Sequence, residues 1–146
     1  MSRATTHPEV NYLAVERMMS RLCTFDRCAS ERGLNNIRLI SLEASYTLYY
    51  LLPRHGVRTV YIFFPDPWPK LKHRCNRLFS PVFLDALWYA LEIGGCVQVA
   101  TDHLLYFEEI RQHLEDDPRF EEVPAMKRTD DEQTDLRYCS DGRASR

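Results

Sequence analysis

The sequence predicts an α/β domain built on a mostly parallel sheet, and three observations carry that prediction. Short β-like apolar runs alternate with longer stretches of helical periodicity along most of the 146 residues. The run Thr59 to Phe64 (TVYIFF) is β-branched and aromatic throughout, as expected of a central strand covered on both faces. Polar or acidic residues stand at or just past the ends of the strand-like runs, where an open parallel sheet displays its ligand-binding side chains.

In chain order, Asn11 to Val15 (NYLAV) is a short strand closed by Glu16. Arg17 to Arg32 is a helix with Met18, Leu22, Phe25 and Ala29 on one face and Gly33 as its C-terminal cap. Ile37 to Leu42 is the next strand, closed by Glu43, and Ser45 to Leu52 is a short helix stopped by Pro53 before a His55-Gly56 turn. The strand at 59–64 is broken at once by PDPWPK. Ser80 caps a helix that has Pro81 in its first turn and Phe83, Leu84, Leu87 and Leu91 on one face; Gly94-Gly95 is expected to end it. Cys96 to Ala100 is a strand leading to Thr101-Asp102, and His103 to Leu114 is a further helix. From Glu115 onward the chain is acidic and reads as loop, with one short strand at Leu136 to Cys139. The length fits one domain over 1–146, its core in 8–120 and a loop-rich acidic segment over 121–146.

Composition narrows the class. Hydrophobic residues at 45% and charged residues at 27% are those of a globular chain, which excludes wholesale disorder. No apolar run approaches the ~20 residues of a membrane span and MSRATTHPEV has no signal-peptide core, so a cytoplasmic protein without membrane contact is expected. The five cysteines are odd in number and never spaced C-x-x-C, so reduced thiols and no metal site are expected. A net charge of −2 rules out nucleic-acid binding by bulk charge and leaves a local basic patch open.

Such a patch exists in FFPDPWPKLKHRCNRL, residues 63–78. Pro65, Pro67 and Pro69 fix φ and suppress helix, holding the backbone between strand and basic run rigid. Asp66 and Trp68 are displayed on that turn. Lys70, Lys72, His73, Arg74 and Arg77 follow as a cluster suited to phosphates. Trp68 has two readings, a wedge packing the turn on the sheet or a platform for a base. Glu16, Glu43, Asp66 and Asp102 each follow a strand. Taken singly each is explained as a turn residue or helix cap; as a set at one sheet edge they would form an acidic cleft suited to a cationic or donor-rich ligand.

FFPDPWPK, the basic run and the later A-T-D resemble the tRNA (guanine-N7-)-methyltransferase family over roughly Pro8 to Phe120. The resemblance implies a Rossmann-like S-adenosylmethionine-dependent methyltransferase fold, S-adenosylmethionine as cofactor and tRNA as partner, with methyl transfer to N7 of a guanine in the variable loop. It implies that Glu16 accepts hydrogen bonds from the cofactor's ribose hydroxyls and that Glu43 stands beside the adenine, where the family more often has Asp or Asn. Asp66 corresponds to the acid of cofactor binding and catalysis, Lys70 to a substrate-binding lysine and Asp102 to a substrate-binding acid. Cys75 and Asn76 stand where the family usually has Lys or Arg, so weaker RNA binding is expected. The family's C-terminal T-x-F-E substrate motif aligns either with Thr129 to Glu132, giving Thr129 and Glu132 as substrate-binding residues, or with Thr134 to Arg137.

The family fold opens with a strand and a G-x-G-x-G loop, and this chain starts at what corresponds to the second strand. The fold is therefore expected to be N-terminally incomplete. The first strand would lie between those at 11–15 and 59–64, so each of these should keep an unpaired ladder edge. An inactive relative that binds RNA weakly or serves a partner is the competing expectation, and a second copy or a complementing chain remains open as a partner.

Overall fold

The computed structural model describes residues 1–123 and 134–140. Where one domain was expected, the chain divides into two compact units, Met1–Thr47 and Leu48–Arg146, each with its own sheet among the described residues.

In the first unit, helix α1 (Ser2–Thr6) precedes strand β1 (Tyr12–Val15), helix α2 (Met19–Glu31) and strand β2 (Ile37–Ile40). The two strands pair in parallel, Tyr12 opposite Ile37 and Val15 opposite Ile40, with α2 in the crossover that a parallel pair needs. Gly33, at φ +65°, takes the left-handed conformation that ends α2. Ala4, Ala29 and Ile37 form a small core against Tyr12, Phe25, Leu34 and Leu39. The Asn36 side-chain amide donates to the carbonyls of Ala4, His7 and Val10 at 3.1, 3.2 and 2.9 Å, tying α1 and the loop after it to β2. Helix α3 (Ala44–Tyr46) follows and continues as one π-helical turn over Thr47–Leu51.

The second unit carries strand β3 (Val57–Phe63), a 3₁₀ turn (Leu71–Asn76), helix α4 (Pro81–Ala90), strand β4 (Leu91–Thr101), helix α5 (Leu104–Glu115) and strands β5 (Phe120–Glu122) and β6 (Thr134–Ser140). Its sheet has the order β3-β4-β6-β5, with β3 parallel to β4 and β6 antiparallel to both neighbours. Leu87, Leu91, Val97, Val99, Tyr106, Ile110 and Leu114 are fully buried and form the core of this unit. Among the described residues no helix is long and apolar enough to cross a membrane.

Among the described residues β1 is hydrogen-bonded only to β2, and β3 only to β4. That arrangement corrects another expectation. The strand at 59–64 is not buried on both faces; Ile62 is buried while Phe63 and Phe64 are half exposed, because β3 is the outermost strand of its sheet. Gly94-Gly95 does not end the preceding helix either. The chain is extended from Leu91, and both glycines lie inside β4 where its register against β3 shifts. Gly94 has φ +76°, and a Cβ on Gly95 would lie 2.8 Å from the Glu92 carbonyl oxygen, so this bulge requires glycine at both positions.

The C-terminal segment is more structured than its composition predicts. β6 extends beyond the expected 136–139 and occupies an interior place in the sheet, and β5, with Phe120 as its only apolar residue, gave no alternating pattern to detect. Cys96 and Cys139 face each other across β4 and β6 at 4.2 Å between Cα atoms and are disulfide-bonded, against the expectation of five reduced thiols; Cys23, Cys28 and Cys75 are free. The pair is 43 residues apart in sequence, and only the strand register brings it together.

Ser80 caps α4 as expected, its Oγ accepting the Phe83 N–H at 3.3 Å with Pro81 in the first turn. Ser80→Ala should lower the stability of this unit by about 1 kcal/mol in urea unfolding; an unchanged midpoint would contradict the capping assignment.

Candidate active site

Glu16 and Glu43 follow the carboxyl ends of the parallel pair β1 and β2. The Glu16 N–H donates to the Ile40 carbonyl at 3.1 Å, extending the ladder by one bond. Its carboxylate accepts the Met18 N–H at 2.9 Å on Oε1 and the Arg21 guanidinium at 3.3 Å on Oε2. The Met18 bond, opposed by partial burial and reinforced by Arg21, holds Glu16 below the usual carboxylate range. Two acceptor positions are thus filled and two remain for a ligand. Glu43 is the N-cap of α3. Its Oε1 accepts from the Ser45 N–H (2.9 Å) and hydroxyl (3.0 Å), and its Oε2 from the Tyr46 N–H at 2.7 Å. Burial pushes Glu43 up, but these donors and the charge of Arg17 outweigh it and the net shift is downward. Three of its acceptor positions are filled, so Glu43 has less capacity for a ligand than Glu16.

Asp66 and Asp102 follow the carboxyl ends of the other parallel pair, β3 and β4. Phe63 lies opposite Ala100, and the Phe64 N–H donates to the Ala100 carbonyl at 2.8 Å, so both acids leave the same end of one ladder. Both are exposed and make no hydrogen bond or ion pair with the described residues. Thr101 between strand and acid is buried, and its hydroxyl accepts the His103 N–H at 3.3 Å. The His103 ring nitrogen Nδ1 in turn accepts the Tyr106 N–H at 3.2 Å and caps α5. The structure places two of the four strand-end acids in each unit.

The proline turn carries backbone strain. Phe64 and Trp68 have φ of 52° and 40°, left-handed values that non-glycine residues rarely adopt and that cost of the order of 1–3 kcal/mol each. Trp68 is half buried, with its ring edge-on to His73 at 5.7 Å between centroids. Lys70, Lys72 and Arg74 are exposed and form no ion pair with the described residues, while His73 is half buried. Arg77 departs from the expected phosphate patch. Its side chain is only 5% exposed, pairs with Glu109 of α5, and donates from Nε to the Pro67 carbonyl at 2.7 Å. A guanidinium already committed to buried protein partners is not available to a phosphate. Sequence reasoning missed its partner Glu109, since 32 residues separate the two and no local pattern joins them. Thr129 and Glu132 lie outside the described residues. Of the rival alignment, Thr134 to Arg137 belongs to β6, beside β4.

Solved structures similar to this chain include several methyltransferases. A SAM-dependent O-methyltransferase of Thermotoga maritima superposes with a TM-score of 0.65 at 14% identity, covering 93% of this chain and 52% of the other. An rRNA methylase of Streptococcus thermophilus gives 0.59 at 14% identity over 89% and 73%, and a Streptococcus mutans protein solved in complex with SAH gives 0.57 at 10% identity over 89% and 76%. The fold is therefore that of the Rossmann-like S-adenosylmethionine-dependent methyltransferases. A family profile described as "Putative methyltransferase" matches residues 1–141, and the chain belongs to that family. Relatives named tRNA (guanine-N(7)-)-methyltransferase include those of Halorhodospira halophila, 41% identical over 118 residues (81% of this chain, 51% of the relative), and Nitrosospira multiformis, 38% identical over 115 residues (79% and 50%). The chain spans about half the length of these relatives.

Glu16 and Glu43 are both held below the ordinary value of 4.5, so their contribution to stability is present above that pH and is lost as pH falls through their lower folded values. The unfolding midpoint of the wild type should accordingly drop more steeply as pH falls below 4.5 than that of the Glu16→Gln/Glu43→Gln variant. Parallel pH profiles for the two proteins would contradict these assignments.

Proposed function

We propose that this chain acts in methyl transfer from S-adenosylmethionine to N7 of a guanine in the variable loop of tRNA, in the cytoplasm. The observation that carries this reading is a set of charges at one end of the β3–β4 ladder that have no partner among the described residues: Asp66 and Asp102 as acceptors, with the cations Lys70, Lys72 and Arg74 on the same proline-framed segment as Asp66. Structural residues spend their charge on the protein, as Arg77 and Arg119 do. The names of the relatives give the substrate class.

The residues fit the cofactor where they can be tested. Within the Met1–Thr47 unit, Glu16 keeps acceptor capacity for ribose hydroxyls and Glu43 would contribute one acceptor near the adenine. When bound, S-adenosylmethionine supplies an electrophilic methyl group. Guanine N7 carries a lone pair and no proton, so the protein needs no strong general base. The work of the chain is to hold the purine in place and to offset the positive charge that develops on it. Asp66 does this as an acceptor for the guanine edge, and Asp102 acts beside it from the neighbouring strand. Lys70, Lys72 and Arg74 grip phosphates, and His73 supports the patch through Trp68. Thr129 and Glu132 are the substrate-binding residues that the family motif suggests.

A second reading, an inactive relative that binds RNA or a partner chain, has one observation in its favour: none of the five glycines forms a G-x-G-x-G loop. Calorimetry with S-adenosylmethionine separates the two, since the enzyme reading requires binding and is wrong for this chain if none is detected at about millimolar cofactor, which corresponds to a binding free energy of ~4 kcal/mol.

Asp66→Ala should lower transfer to tRNA at least about 100-fold while leaving the unfolding midpoint unchanged, because the carboxylate is exposed and makes no bond with the described residues. Retained activity would remove Asp66 from the mechanism. Charge reversal at Lys70 and Arg74 should weaken tRNA binding and flatten the slope of log Kd against log salt by about one for each lost phosphate contact. An unaltered slope would place the RNA elsewhere.

A further inference from the structure

The proline turn cannot hold itself. Pro65, Pro67 and Pro69 have no N–H, and between the Phe64 N–H on the Ala100 carbonyl and the His73 N–H on the Lys70 carbonyl no backbone donor of the turn is engaged among the described residues. Yet Trp68 keeps φ at 40°, a conformation that persists only where the surroundings over-determine it. The donors come from Arg77. After the 3₁₀ turn the chain doubles back, and the Arg77 guanidinium donates from Nε to the Pro67 carbonyl at 2.7 Å and from Nη2 to the Trp68 carbonyl at 3.4 Å. Its third edge pairs through Nη1 with Glu109, and its carbon Cζ lies 4.9 Å from the ring centroid of Tyr106, a fully buried residue one turn earlier on α5. One planar group thus fastens two successive carbonyls of the turn to the helix that follows β4. A lysine ammonium could not do so with the same geometry.

We propose that Arg77 is the positioning residue of this site. It fixes where Asp66 and Lys70, which flank Pro67 and Trp68, are presented to the methyl acceptor, with Glu109 and Tyr106 as the anchor on α5. The assignment of Asp66 and Lys70 to the acceptor rests on the methyltransfer reading above; the clamp on the turn does not. Arg77 itself touches neither cofactor nor RNA in this account, and its effect on the reaction passes through the geometry of the turn.

The test uses the full chain carrying Trp88→Phe, which leaves Trp68 as the only indole, and compares Arg77, Arg77→Lys and Arg77→Gln. The clamp predicts that Trp68 emission anisotropy falls and its quenching by acrylamide rises in both variants. Trp68 fluorescence identical to the parent in Arg77→Lys would overturn the clamp, and this readout stands even if the parent shows no methyl transfer, an outcome that would sink the functional reading instead. Where transfer is measurable, single-turnover rates should fall about 100-fold in Arg77→Lys, the scale of a misplacement of about 1 Å, with tRNA affinity nearly unchanged. A loss of affinity with an unchanged single-turnover rate would make Arg77 a phosphate contact and overturn the proposal. If Arg77→Gln does not fold, Arg77→Lys, which keeps a cation against Glu109, carries the comparison alone.

Discussion

The parallel ladder between β3 and β4 is the constraint on which the rest of the Leu48–Arg146 unit depends. Its register sets Phe63 against Ala100 and sends both chains off the sheet together, one into the proline turn and the other into Thr101-Asp102. β4 is held on its other side by β6 and packed by α4 and α5, with Val97, Val99 and Ala100 buried. The strand that positions Asp102 is therefore paired on both edges. β3 is joined to the sheet through one line of hydrogen bonds, having no second neighbour among the described residues. A slip of one residue in this register would turn Ile62 outward and carry Asp66 away from Asp102.

Charge in this protein divides into groups that are spent and groups that are not. Arg77 is spent on Glu109 and two carbonyls, and Arg119 on Asp117 and Asp85, whose bonds raise it well above the usual arginine value despite partial burial. Glu16 and Glu43 are partly spent, held in fixed geometry by local N–H donors while keeping some acceptor capacity. Asp66, Asp102, Lys70, Lys72 and Arg74 are unspent. A preorganised site needs both kinds: groups that hold a geometry and groups left free to act within it.

The positions of the strands and helices were legible because each has a local cause. TVYIFF has strand propensity, Ser80-Pro81 has capping chemistry, and Phe83, Leu84 and Leu87 have helical spacing. The acids at strand ends were legible for the same reason, since position in sequence sets position on the sheet edge. What failed was non-local. Arg77 belongs to a run of cations by sequence and to the interior by its contacts with Glu109 and Tyr106, which lie about thirty residues on. The Cys96–Cys139 bond depends on the β4–β6 register, and β6 itself is apolar enough to be read as a short strand but not to reveal an interior place in the sheet. The unpaired edge of β3 was foreseen, but the half exposure of Phe63 and Phe64 was not, since the strand's apolar composition read as cover on both faces.

The central claim is that the free acids and cations at the end of the β3–β4 ladder serve methyl transfer to a purine nitrogen. Its most direct test is to incubate the purified chain with unmodified tRNA and isotopically labelled S-adenosylmethionine, digest the tRNA, and identify the labelled nucleoside by mass spectrometry. The account predicts 7-methylguanosine from the variable loop. Label in another nucleoside, or none in a preparation shown to bind both cofactor and tRNA, would contradict it.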